Sequence, residues 1–158
     1  MSTLIASPEI RPVQASDAAE WLRLRMALWP GSNPDTEADG IAHFLAVLPR
    51  PVLPTLQAVF VCARPDTGLC GLVEVSIHNA APGCKTDRIG YLEAWYVDPD
   101  CRGQGVGREL VKRAEAWAKS EGCREMASDT DPSYPASPAA HAAWGYQVVE
   151  WYFRKDLR

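Results

Sequence analysis

The feature that most limits the possible folds is a predicted strand that leads through a glycine-rich turn directly into an amphipathic helix. Residues 89–97 are mostly apolar and aromatic, and Gly103, Gly105 and Gly107 follow at alternate positions. Arg102 and Arg108 add positive charge to the turn. The N–H groups and the dipole of a helix start favour phosphate, and glycine lets the backbone approach it closely. The segment therefore predicts an α/β domain that binds a phosphorylated ligand.

The hydrophobic periodicity predicts the remaining elements. The first helix is expected to begin at Ser16 or Asp17, with Glu20 completing a capping box, and to end at Trp29. The predicted strands cover 10–13, 56–63, 69–78, 89–97, 125–129 and 147–155, and the later helices start near 36, 106 and 137. The resulting order, β-α-α-β-β-β-α-β-α-β, predicts a single α/β (α+β) domain over residues 1–158 with a mixed sheet.

Composition and charge exclude several classes of protein. The 158 residues are 47% hydrophobic and 23% charged, which is typical of one globular domain, and the net charge of −4 argues against nucleic acid and anionic membranes as partners. The same charge permits a cationic substrate. No apolar run reaches the ~18 residues of a membrane span. Met1 to Leu4 lack the charged start of a secretory leader, so a cytoplasmic location is expected.

The cysteines and histidines argue against a disulfide scaffold and against a metal site. The five cysteines include no C-x-x-C pair, and the three histidines are scattered along the chain. No metal is therefore expected.

The glycine turn fits one phosphate-binding motif and fails two others. A dinucleotide fingerprint requires glycine where Arg108 stands, and no Gly-Lys-Ser/Thr is present for a nucleotide-triphosphate loop. The run from Arg102 to Gly107 instead resembles the Arg/Gln-x-x-Gly-x-Gly/Ala turn of the GNAT acetyltransferase superfamily. That resemblance implies a twisted, mostly antiparallel mixed sheet flanked by about four helices, and acetyl-CoA as co-substrate. It implies cofactor contacts from Trp95, Tyr96, Val97, Arg102, Gly103, Gln104, Gly105, Val106 and Gly107.

Segments across most of the chain resemble one subgroup, the aminoglycoside 6′-N-acetyltransferases. These segments are residues 21–31, 91–93, 122–130, 141–146 and 152–155, of which the run Cys-Arg-Glu-Met-Ala-Ser-Asp-Thr is the most specific. The resemblance implies that the substrate is an aminoglycoside carrying a 6′-amino group. It places Trp29, Glu93 and Asp129 against the antibiotic and Glu150 near the same pocket. Two departures from the family pattern bear on the substrate spectrum rather than on the reaction: Ala80 replaces an aromatic residue, and Tyr134, which is also expected to bind substrate, replaces an asparagine.

Acetyl transfer to an amine requires a neutral nitrogen and a protonated leaving thiolate. The substrate amine arrives as an ammonium, and giving its proton to an ordinary carboxylate costs ~8 kcal/mol on reference pKa values. A carboxylate therefore binds the cation first, and acts as a base when burial or a water relay assists. Glu93, on one strand face with Tyr91 and Trp95, and Asp129, at a strand end, are the candidates. Tyr152 and His141 are the candidate acids.

The sequence leads to one main hypothesis and two alternatives. The main hypothesis is direct transfer of an acetyl group from acetyl-CoA to an aminoglycoside, without an acyl-enzyme step and without nucleic acid or membrane partners. The first alternative is acetylation of another polyamine or of a protein amine, and the second is a CoA-binding sensor without catalysis. A homodimer stays open.

Overall fold

The computed structural model describes residues 7–158, so Met1 to Leu4 and the expectation about a leader lie outside the described residues. Its centre is a five-stranded sheet in sequence order: β1 (Glu9–Pro12), β2 (Gln57–Ala63), β3 (Leu69–His78), β4 (Ile89–Val97) and β5 (Glu125–Ser128). The first three pairings are antiparallel, and β4 pairs with β5 in parallel. The predicted mixed, mostly antiparallel sheet is therefore confirmed.

Four α-helices accompany the sheet: α1 (Ala18–Leu28), α2 (Pro34–Ala46), α3 (Val106–Ser120) and α4 (Ser137–Ala143). The helix α2 begins before the predicted Thr36 because the Asn33 side chain accepts hydrogen bonds from the N–H groups of Asp35 and Thr36, at 2.9 and 3.1 Å. No helix within residues 7–158 is long and apolar enough to cross a membrane.

The predicted capping box at the start of α1 is wrong. The Asp17 carboxylate accepts hydrogen bonds from the Arg11 guanidinium, at 2.7 and 2.9 Å, and from the Gln14 N–H, at 2.8 Å. Glu20 instead pairs with Arg23 and accepts the N–H of Leu69, at 3.0 Å. Asp17 therefore joins the start of α1 to β1, and Glu20 joins α1 to β3.

The core lies on both faces of the sheet. One cluster joins α3 to the sheet through Leu110 and Val73, and another joins α1 and α2 to it through Trp21, Phe44 and Leu72. Because helices cover both faces, β3 is buried from Leu69 to Ile77, and this buried stretch includes the polar residues Glu74 and Ser76.

The predicted last strand, residues 147–155, forms no strand. Residues 145–158, which we call the C-terminal arm, pair with no strand among residues 7–158, and Trp151, Tyr152 and Phe153 are 73–92% exposed. At the start of the arm, Tyr146 packs against the core and donates to Glu115 of α3 at 2.9 Å. Apolar and aromatic residues favour extended backbone but do not specify a partner strand. The observed order therefore ends at α4.

Candidate active site

The parting of two parallel strands creates the main cleft. The ladder between β4 and β5 ends at Leu92 and Ser128, while β4 continues to Val97. A cleft of about 1090 Å³ opens where the strands separate. Its walls come from β4, the start of α3, the end of α1 and the segment from β5 to α4. Binding in the crevice at the carboxyl ends of strands is the usual arrangement in α/β sheets.

The glycine turn supplies an anion site at one end of this cleft. Gly103 and Gly105 adopt φ angles of 72° and 84°, which side chains rarely tolerate, and a Cβ on either would meet no atom within 4 Å. No side chain caps the start of α3, so its first N–H groups are available to a ligand. Val106, which begins the helix, is buried and anchors it. These features fit the diphosphate of acetyl-CoA.

Two polar side chains of the turn stabilise the turn itself. The Arg102 Nε donates to the carbonyl of Val97 at 2.8 Å, and its guanidinium lies over the Tyr96 ring at 5.5 Å. The Gln104 amide donates to the carbonyl of Asp100 at 3.1 Å. Arg108 is exposed and lines the cleft. Arg102 therefore holds the end of β4 in place, in addition to bringing the positive charge predicted from the sequence.

Asp98, a buried aspartate that was not singled out from the sequence, holds the chain in place between β4 and the glycine turn. Asp98 accepts two hydrogen bonds from Arg23, both at 3.0 Å, and one from Arg64 at 2.9 Å. Its own N–H donates to the carbonyl of Cys70 at 2.8 Å. The partners lie 28 to 75 positions away, so sequence spacing carried no signal for this cluster.

Glu93 lies at a β-bulge in β4. Leu92 pairs with Val75 and Ala94 pairs with Glu74, which leaves Glu93 as the extra residue. The carboxylate is 40% exposed and lines the cleft. Its Oε1 accepts hydrogen bonds from Ser76 and from the His78 Nε2, the latter at 2.6 Å. Neither partner was singled out from the sequence.

Asp129 and Tyr91 meet at the wall opposite the glycine turn. Asp129 follows β5, is exposed and lines the same cleft. Burial, and then the nearby carboxylates of Asp129 and Glu93, raise the pKa of Tyr91, which therefore keeps its proton at neutral pH. The cleft thus has arginines near the turn and carboxylates at the other end, an arrangement suited to an anionic donor and a cationic acceptor.

Trp29 and Tyr134 also line the cleft. Trp29 follows α1, is half-buried and lines the cleft. The Tyr134 hydroxyl donates to the carbonyl of Leu28 at 2.6 Å, which joins the segment before α4 to the end of α1. The predicted substrate residues Trp29, Glu93, Asp129 and Tyr134 therefore share one cleft.

His141 lines the cleft with both ring nitrogens engaged. Its Nδ1 lies 2.8 Å from the carbonyl oxygen of Ser137, and its Nε2 lies 2.8 Å from the hydroxyl of Ser128. A carbonyl only accepts, so we assign the proton of the neutral ring to Nδ1. Nε2 then accepts from Ser128 and has no proton to give. The predicted role of His141 as an acid is restricted to its charged form.

Glu150 and Tyr152 lie outside the cleft, on the C-terminal arm. The Tyr152 hydroxyl donates to the Glu150 carboxylate at 3.1 Å, and this contact raises the pKa of Tyr152. Because the arm pairs with no strand, neither residue lines the cleft that contains Glu93 and Asp129. This placement gives no support to the predicted role of Tyr152 as an acid or to that of Glu150 as a substrate ligand. Within residues 7–158, no three His, Cys, Asp or Glu side chains are grouped to hold a metal.

Comparison with known proteins identifies the family. The model of the acetyltransferase (GNAT) family matches residues 19–146. An aminoglycoside N(6′)-acetyltransferase type 1 from Klebsiella aerogenes is 42% identical over 96% of this chain and 99% of its own length. A protein of the same name from Stenotrophomonas maltophilia is 35% identical over 98% and 97%.

Solved structures agree with the sequence relatives. The structure of AAC(6′)-Iy with the bisubstrate analogue CoA-S-monomethyl-acetylneamine superimposes with a TM-score of 0.81 at 29% identity, covering 97% of this chain and 99% of that one. The enzyme AAC(6′)-IG from Acinetobacter haemolyticus gives a TM-score of 0.78 at 30% identity, covering 95% and 99%. The chain therefore belongs to the GNAT acetyltransferases and, within them, to the family of aminoglycoside 6′-N-acetyltransferases.

Proposed function

We propose that this protein transfers the acetyl group of acetyl-CoA to the 6′-amino group of an aminoglycoside, as an antibiotic-resistance enzyme. The observation that carries the proposal is one cleft with a glycine-turn anion site at one end and the carboxylates of Glu93 and Asp129 at the other. The relatives named for this activity support the choice of acceptor. Residues 1–158 would form one acetyltransferase domain.

The proposed donor site consists mainly of backbone groups. The N–H groups at Gly103, Gly105 and the start of α3 would hold the diphosphate, and the unpaired side of β4 from Trp95 to Val97 would hold the pantetheine arm. Acetyl-CoA supplies a thioester whose carbonyl carbon is open to attack by an amine. Arg102 and Arg108 add attraction for its phosphates.

The proposed acceptor site binds and orients an ammonium group. Asp129 and Glu93 attract the cation, and Trp29 offers an aromatic face to a sugar ring. One amine proton must leave before the nitrogen attacks, and Glu93 takes it directly or through water. The new C–N bond replaces the C–S bond, and the departing thiolate takes up a proton.

A thiol-release assay tests this function. We expect turnover with acetyl-CoA and kanamycin-class drugs that carry a 6′-amine, and none with an analogue that has a 6′-hydroxyl. Turnover of the hydroxyl analogue, or binding of acetyl-CoA without turnover on any amine, would contradict the proposal.

Glu93→Gln should depress kcat more than KM, and its rate should recover as the pH rises toward the pKa of the amine.

We also propose that the C-terminal arm pairs with a second copy of this chain to form a homodimer. Val149, Trp151 and Phe153 are 62–92% exposed within one extended segment, and β5 has a strand neighbour only at β4 among residues 7–158. Contiguous exposed apolar side chains on unpaired backbone favour strand addition. A second copy presents both a matching arm and the same β5 edge.

Sedimentation velocity tests the homodimer. Wild type should sediment with twice the chain mass, and the double variant Trp151→Asp, Phe153→Asp should sediment as a monomer with an unchanged melting temperature. A wild-type monomer at every concentration would contradict the dimer.

The acidic charge, the five free cysteines and the use of acetyl-CoA support a cytoplasmic enzyme that acts on a dissolved substrate without nucleic acid or membrane partners.

A further inference from the structure

Two residues of β3 hold one oxygen of Glu93. Ser76 and His78 are two positions apart on the strand, so both side chains face the same side. The Ser76 hydroxyl and the His78 Nε2 both bind Oε1 of Glu93, and they lie 3.1 Å from each other. Within residues 7–158, Oε2 has no hydrogen-bond partner, so it remains available to a ligand in the cleft.

The bulge explains why Glu93 needs this support. As the extra residue of β4, Glu93 has no opposite partner in β3 to help fix its direction. A long, partly exposed side chain also keeps rotamer freedom that must be lost before it can bind in one orientation. Two donors on a single oxygen restrict the carboxylate before the substrate arrives, which is the physical meaning of preorganisation.

The His78 ring is itself held in place. It stacks on Tyr91 with ring centroids 4.4 Å apart and an interplanar angle of 18°. The Tyr91 phenol lies beside Asp129, which contributes to its raised pKa. Because Glu93 only accepts, His78 in its neutral form carries its proton on Nε2. One aromatic pair therefore connects the two carboxylates of the acceptor end.

We propose that His78 is a positioning residue for acetyl transfer, which holds Glu93 Oε1 so that Oε2 faces the ammonium group of the acceptor. This inference rests on the proposed function and adds a residue to it. His78 acts through Glu93 and is not expected to touch the reacting atoms. Ser76, which is buried, supports the same oxygen from the strand.

Three variants test the proposal. His78→Phe keeps a ring over Tyr91 and removes the Nε2 proton, so kcat/KM for kanamycin should fall about tenfold while the KM for acetyl-CoA changes less than about twofold. His78→Gln restores an amide donor, so it should recover at least half of that loss. His43→Phe, on an exposed position of α2, is the matched control and should match wild type.

A double-mutant cycle distinguishes action through Glu93 from a separate effect. Glu93→Gln combined with His78→Phe should be no slower than Glu93→Gln alone within about twofold. Losses that multiply would overturn the proposal, as would a wild-type rate in His78→Phe. If His78→Phe fails to fold, His78→Leu takes its place in the cycle, and a wild-type rate in His78→Leu overturns the proposal instead. A wild-type enzyme without turnover would refute the proposed function, whereas turnover with an indifferent His78 would refute only this inference.

Discussion

The hydroxyl of Tyr134 donates to the backbone carbonyl of Leu28 at 2.6 Å, across 106 positions of sequence. This bond closes the acceptor end of the cleft because it joins the segment before α4 to the residue that precedes Trp29. Tyr134→Phe removes the bond and keeps the ring. We expect the aminoglycoside KM to rise about three- to tenfold while the acetyl-CoA KM stays constant. Steady-state kinetics with each substrate varied in turn checks this, and an equal rise in both would contradict it.

The positive φ of Gly105 predicts a cofactor defect on substitution. Gly105→Val should raise the apparent acetyl-CoA requirement at least about tenfold, because a β-branched residue resists φ of 84° and its side chain would occupy the space proposed for the diphosphate. Calorimetric titration with CoA measures the affinity. Gly40→Ala inside α2 is the matched control and should bind normally. Unchanged affinity in a folded Gly105→Val would remove the phosphate-site assignment.

Charge at Asp129 should govern the acceptor and not the donor. Asp129→Asn keeps the size of the side chain and removes its charge, so kcat/KM for the aminoglycoside should fall about 10–100-fold with little change for acetyl-CoA. Asp39→Asn removes an exposed carboxylate from α2 and controls for net charge. Equal losses on cationic and neutral acceptors would show that Asp129 is only structural.

Cys101 lies beside the glycine turn and should be dispensable. Burial, and then a hydrogen bond with Cys70, raise the pKa of the Cys101 thiol to about 11, so the nucleophilic thiolate is scarce at neutral pH. Cys101→Ala should retain kcat/KM within about twofold, and wild type should show sequential kinetics. Trapping of an acetylated enzyme by mass spectrometry would contradict direct transfer.

Asp17 should make stability depend on pH in the acidic range. The Arg11 hydrogen bond lowers the pKa of Asp17 in the folded state, so its stabilisation is complete above the unfolded pKa and is lost as the pH falls through the folded one. Asp17→Asn should therefore cost about 1–3 kcal/mol at pH 7 and progressively less below pH ~4. Urea denaturation of the wild type and the variant, at pH 7 and below pH ~4, checks this. A gap that stays constant with pH would contradict the charge-based account.

Local patterns in the sequence were sufficient for most elements and for the position of the glycine turn at the start of α3. The glycine turn was predictable because positive φ and an uncapped helix start depend on neighbouring residues. The bulge at Glu93 was not, because a bulge is defined by the register between two strands. The cluster of Arg23, Arg64 and Asp98 likewise depends on distant segments coming together.

The C-terminal arm is a second case in which the local sequence could not specify which segments pair. Val148, Val149 and Trp151 favour extended backbone, and the prediction of a strand over 147–155 followed from that preference. Among residues 7–158 the arm pairs with no strand, because a preference for extended backbone does not specify which strand lies beside it. The roles of Glu150 and Tyr152 at the site therefore stay predictions.

In the proposed site, the parting of β4 from β5 separates two kinds of recognition within one cleft. The proposed donor end relies mainly on backbone groups, whose geometry changes little when a side chain is replaced. The proposed acceptor end relies on side chains, and the loop after β5 adds the exposed Thr130, Asp131 and Ser133 to the lining of the cleft. Exposed substitutions of this kind usually alter stability by less than about 0.5 kcal/mol. The enzyme can therefore acquire new drug preferences through single mutations while its use of acetyl-CoA is inherited intact.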